Sequence, residues 1–74
     1  MNKTQDYPYL RAWCRYMGSH QYYTDIQLEH AREENAPVTA IYRDIDEDGK
    51  SHWHTFESIS REDTRETIRK MVEG

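Results

Sequence analysis

A single cysteine, Cys14, leaves this chain unable to close an internal disulfide. A lone thiol suits a reducing compartment and is more often a small buried hydrophobe than a nucleophile. No stretch approaches the ~18 to 20 consecutive apolar residues that a membrane span needs, so no membrane partner is expected. The opening Met1-Asn2-Lys3-Thr4-Gln5-Asp6 has one lysine and no apolar core behind it, which argues against a secretion signal. Glycine is confined to Gly18, Gly49 and Gly74, and no glycine-rich phosphate loop can be argued from them. Repeats, low-complexity tracts and internal linkers are also missing. A soluble, intracellular, cytoplasmic protein is the expectation.

The 74 residues leave room for one domain, 1–74, with residues 1–5 expected to fray. A chain this short buries only ~60% of the surface its unfolded form exposes. Hydrophobic residues make up 35% and charged ones 32%, with a mean hydropathy of -1.18. Two Trp, six Tyr and one Phe argue against disorder and imply a core built largely from rings. Such a core is open to completion across a homodimer or partner interface; a monomeric mass by light scattering would exclude the dimer. Charge is uneven within the net -4. Residues 1–24 carry Lys3, Arg11 and Arg15 against Asp6, whereas residues 25–48 carry eight acids against Arg32 and Arg43. A net negative chain is a poor general ligand for nucleic acid, because phosphate neutralisation supplies most of that affinity. It suits a basic protein partner.

The periodicity predicts the order ααββα, an α+β fold with helices on one face of a two-stranded antiparallel hairpin. Asp6 caps the first helix, Pro8 occupies its first turn, and Leu10, Trp13, Cys14 and Met17 form one stripe before Gly18 stops it. Ser19 or Thr24 opens the second helix, Thr24 with Gln27 fitting a capping box, and Asn35-Ala36-Pro37 closes it. Val38–Ile45 and Ser51–Phe56 form the hairpin around Asp48-Gly49. A two-residue turn pairs Ile41 with Phe56 and Asp44 with Trp53. A three-residue loop with Gly49 left-handed pairs Tyr42 with His54 and Arg43 with Trp53, and is favoured for placing Ile41, Ile45 and Trp53 on one face. Ser60 with Asp63 caps the last helix, whose apolar set is Thr64, Ile68, Met71 and Val72.

Asp44-Ile45-Asp46-Glu47-Asp48-Gly49 matches the first half of an EF-hand calcium loop, where alternating carboxylates converge on a hard cation. The second half fails, with Ser51 at the eighth position and Thr55 where a bidentate Glu belongs. His52 and His54 share a strand face at a spacing zinc sites use, yet no sequence spacing assures further ligands from His20, His30 or Cys14. Asp44, Asp46, Asp48, His52 and His54 are therefore metal candidates set below a solvated hairpin. Cys14 with His20 or His30 suggests a thiol nucleophile, but its place between Trp13 and Met17 on the apolar stripe argues for an inert thiol. No catalytic arrangement and no cofactor is expected. Tyr9, Arg11, Arg15 and Tyr16 are the residues a single strand of nucleic acid would use, and the bland assignment to a half-buried helix outweighs that.

Tyr9-Leu10-Arg11-Ala12-Trp13, Met17-Gly18-Ser19 with Tyr22-Tyr23, Asn35-Ala36-Pro37 followed by Ala40-Ile41-Tyr42, and Trp53-His54-Thr55-Phe56 resemble segments of small uncharacterised proteins encoded by phages and prophages. The resemblance implies an accessory, non-structural role in a bacterial host and brings no residue roles. Such proteins commonly act by binding a host protein. The expectation is thus a non-enzymatic modulator meeting a basic partner through Asp44, Asp46, Glu47 and Asp48, with Tyr22 and Tyr23 as anchors. A nucleic-acid binder is the alternative, and a metal-stabilised domain a further one.

Overall fold

The computed structural model describes residues 7–18 and 21–74. Five regular elements follow the expected order: α1 (Pro8–Tyr16), α2 (Gln21–Glu33), β1 (Ala40–Ile45), β2 (Ser51–Thr55) and α3 (Glu62–Glu73), with a single 3-10 turn at Phe56–Ser58. The fold is α+β, and its sheet is one antiparallel pair. No helix among the described residues is long and apolar enough to cross a membrane. The fray at residues 1–5, the Asp6 cap and the Ser19 start lie outside the described residues, as does His20.

The helix at the centre is α1. At about 100° per residue, its side chains divide into sectors with different neighbours. Leu10 and Cys14 join Tyr7, Leu28, Ala31, Ala36 and Ala40 in one buried cluster, which brings α2 against α1. Ala12 joins Ile41, Phe56 and Ile68 in a second cluster, which brings in α3. Trp13 stacks on Tyr42 of β1 at 5.7 Å between ring centroids. Arg11, Arg15 and, in the last turn, Tyr16 are the exposed residues of the helix. The single stripe of Leu10, Trp13, Cys14 and Met17 is thus split: Met17 is 61% exposed, because it follows the last turn and passes beyond the core. Pro8 takes the first turn and Gly18 the left-handed stop, at φ 84°.

α2 runs from Gln21, three residues before Thr24, so of the two expected starts Thr24 is not the cap. Thr24 is 5% exposed inside the helix, and Thr24, Leu28 and Ala31 at i, i+4 and i+7 form its buried stripe. Asn35 ends it in the left-handed region at φ 54°. The Ala36 N–H donates to the Ala31 carbonyl at 2.9 Å and the Asn35 N–H to Arg32 at 3.3 Å, the paired bonds of a Schellman ending. The Tyr7 hydroxyl, buried, donates to the Ala36 carbonyl at 3.1 Å and ties the start of α1 to this ending.

The hairpin takes the three-residue register, with Tyr42 opposite His54 and Arg43 opposite Trp53. Ala40 pairs with Thr55, so Ile41 is the extra residue of a bulge. The bulge lets Ile41 and Tyr42 in succession meet residues packed on α1, while Ala40 enters the other cluster. Hence Ile41 does not share the orientation of Trp53. Ile45 is 50% exposed rather than turned to the helices. Both faces of the hairpin are in contact with the helical layer, Tyr42 with Trp13 and Trp53 with the first cluster.

Phe56, expected as strand, begins the 3-10 turn and lies 6% exposed. Tyr9 packs on its ring at 4.7 Å, and the guanidiniums of Arg65 and Arg69 lie 5.4 and 5.5 Å from its centroid. The capping box at α3 is not formed: the cap is Arg61 with no side-chain bond, and the Asp63 carboxylate binds the Arg61 guanidinium at 2.7 Å instead. Thr64 and Ile68 are buried as expected, Met71 and Val72 half-buried.

Candidate functional site

Turn chemistry decides what the hairpin tip can do. The Gly49 N–H donates to the Asp46 carbonyl at 3.0 Å, and Gly49 takes φ 81°. The Asp46 carboxylate turns inward: its Oδ1 accepts the N–H groups of Asp48 and Lys50, each at 2.9 Å, and its Oδ2 lies 2.6 Å from His52 Nε2. These bonds, from His52 first, outweigh desolvation and hold the Asp46 carboxyl below the usual aspartate range. Asp46 is therefore part of the turn. Asp44, Glu47 and Asp48 are exposed around it, and His54 Nε2 lies 3.8 Å from the Asp44 carboxylate.

Each histidine of β2 thus faces its own carboxylate, His52 on Asp46 and His54 on Asp44, rather than converging on one point. Among the described residues no group of three or more His, Cys, Asp and Glu side chains is placed to hold a metal ion. Cys14 is buried at 4% exposure in the first cluster.

The nucleic-acid candidates are not assembled into one platform. Tyr9, Trp13 and Tyr16 fall on one side of α1, while Arg11 and Arg15 lie about 100 to 160° round the helix from Tyr9 and Tyr16. Tyr9 is occupied by Phe56 and Tyr16 by Trp13.

Two arrangements were not expected. The first centres on Glu34, just beyond α2. Its Oε1 accepts the Trp53 indole N–H at 2.8 Å, and its Oε2 accepts Arg43 Nη1 at 2.6 Å and the Ser51 hydroxyl at 3.4 Å. Desolvation acts to raise the Glu34 pKa, but the bonds from Trp53 and Arg43 prevail and lower it. A sequence signal existed: Glu33-Glu34 puts carboxylates at the negative end of the helix dipole, where a partner is needed. The second is a run of four rings. Tyr16 stacks on Trp13 at 5.7 Å, Trp13 on Tyr42 at 5.7 Å, and Tyr42 on His54 at 4.3 Å with 12° between planes. Beside it an open groove of about 450 Å³ lies between α1, α2 and β1, with Met17, Tyr23 and Tyr42 at its lip.

No known family, curated protein or solved structure matches this chain. Its chemistry has to be judged from the side chains themselves. Tyr22 and Tyr23, expected as anchors, are 76% and 50% exposed, and only Tyr23 borders the groove.

Proposed function

We propose that this chain is a non-enzymatic accessory protein that binds a basic surface of a protein partner in the cytoplasm of a bacterial host, in the manner of the phage and prophage proteins it resembles. The observation carrying the proposal is the inward Asp46. By fixing the turn through Asp48, Lys50 and His52, it leaves Asp44, Glu47 and Asp48 displayed on a pre-ordered tip. Pre-ordered charge favours association, since less side-chain and loop entropy is lost on docking. Opposite charge on the partner speeds encounter and rejects acidic competitors. Tyr22 and Tyr23 supply exposed rings of the kind that anchor interfaces.

The test is capture from host extract by the immobilised chain, with D44K/E47K/D48K alongside. Asp46 is spared, because its replacement disturbs the turn itself. A protein held by the wild type and lost from the reversed tip is the expected result. Equal capture by both chains refutes the electrostatic reading, and capture of nucleic acid in place of protein replaces it with the alternative.

A further inference from the structure

Tyr42 pairs with His54 and Asp44 with His52, so these four side chains share one face of the hairpin. Each imidazole on that face stands beside a carboxylate: His52 Nε2 is 2.6 Å from Asp46 Oδ2, and His54 Nε2 is 3.8 Å from Asp44 Oδ2. The two distances differ in effect. At 2.6 Å from a carboxylate oxygen His52 donates whether it is neutral or charged, so the turn keeps this bond in either state. At 3.8 Å a neutral His54 makes no hydrogen bond, and the Asp44 side chain stays 68% exposed. The His54 ring lies flat on Tyr42, 4.3 Å between centroids, against a ring face that also favours a cation. Beyond Tyr42 the stack continues into Trp13 and Tyr16 of α1, and Arg11 and Arg15 lie about 160° round that helix from Trp13. Glu34, from the end of α2, is paired with Arg43, whose side chain belongs to the other face of the strand. The remaining charges near the row are those of the turn, Glu47, Asp48 and Lys50.

We propose that His52 and His54 make the acidic tip pH-sensitive, each cancelling the carboxylate beside it when its ring takes a proton. The inference rests on the functional reading above and adds its regulation. Four carboxylates, Asp44, Asp46, Glu47 and Asp48, against Lys50 give the tip a charge of -3, and two ring protons bring it to -1. Imidazole is the side chain that ordinarily changes charge between about pH 5 and pH 8, a range in which carboxylates stay ionised. A proton on His54 does more than dilute the charge. It turns the Asp44 contact into an ion pair and withdraws one of the three displayed carboxylates from a partner. A basic surface is thus held near neutral pH and loosened on acidification, while the Asp46 bonds keep the shape of the turn.

The experiment has two readouts, the NMR signals of the isotopically labelled chain and its affinity for a decalysine peptide at low salt, each at about pH 7.5 and about pH 5.5. Lysine keeps its charge over this range, so a change in affinity belongs to the protein. The Asp44 carboxyl carbon should shift in step with the His54 ring, and H54Q should abolish that step. Wild-type affinity should fall about fivefold on acidification, the order expected for two charges added beside an exposed site. H52Q/H54Q should bind equally at both pH values, its amide spectrum confirming that the hairpin is folded. His20 and His30 remain in that variant, so a pH dependence that survives there is theirs and overturns the proposal. An Asp44 signal indifferent to the His54 step, or a wild type that binds equally at both pH values, overturns it as well. Failure of the wild type to bind decalysine at the higher pH contradicts the functional reading instead, and the Asp44 signal then decides alone whether His54 switches its charge.

Discussion

At the carboxyl end of a helix a carboxylate faces the negative pole of the dipole, so Glu34 depends on its three donors from the hairpin. Removing it in E34A leaves the Trp53 indole and Arg43 without their acceptor. With the side chain 30% exposed, the loss should be about 1–2 kcal/mol, the lower part of the range for bonds to charged groups. Chemical denaturation at neutral pH measures it. The same site gives a pH dependence. A carboxyl with a lowered folded-state pKa stabilises fully above its unfolded value of about 4.3, and the benefit fades as pH falls through the folded value. Between about pH 5 and pH 3 the wild type should therefore lose stability more steeply than E34Q; parallel slopes would contradict the assignment. At Gly49 an added Cβ meets no atom, so G49A should cost only the left-handed backbone strain, about 1–2 kcal/mol, with G49N recovering part of it. The glycine stop and turn were legible in the sequence because they are local. The Glu34 contacts were not, since they join residues up to 19 apart whose meeting depends on the fold.

Among the elements, α1 binds the rest together, and its position was the least legible feature. A stripe of Leu10, Trp13, Cys14 and Met17 implies one buried side, whereas Ala12 adds a second, towards α3. Alanine carries little apolar signal, so the small residue that permits close helix approach passes for a surface position. A12L should overpack that contact and cost about 1–3 kcal/mol. I68A on the facing helix should cost about 2–5 kcal/mol, a large share of the total for a domain this small. If A12L is as stable as the wild type, α1 and α3 are not in contact as described. Thr24 shows the opposite error. Thr-Asp-Ile-Gln has the form of a capping box, yet the same threonine begins the only regular stripe α2 possesses, and burial decides in favour of the stripe. Asp48-Gly49 locates the turn but leaves two registers open. The three-residue form is favoured for a shared face of Ile41, Ile45 and Trp53 that the bulge at Ile41 does not give. The exposure of Ile45 was not legible, because it depends on tertiary packing rather than on the strand pattern.

For the molecule as a whole, exposed carboxylates gather at the hairpin tip, on Asp44, Glu47 and Asp48. Asp46 is withdrawn into the turn that presents its neighbours. The candidate site was thus half legible: the acids of the tip were plain in the sequence, while the groove beside Tyr23 required α1, α2 and β1 to meet. The most direct measurement is the affinity of the captured partner as a function of salt, for the wild type and D44N/E47Q/D48N. The account predicts that wild-type binding weakens steeply with rising salt, and that the neutral tip binds about tenfold or more weakly at low salt with a flatter dependence. Equal affinities and equal salt slopes for the two chains would contradict it.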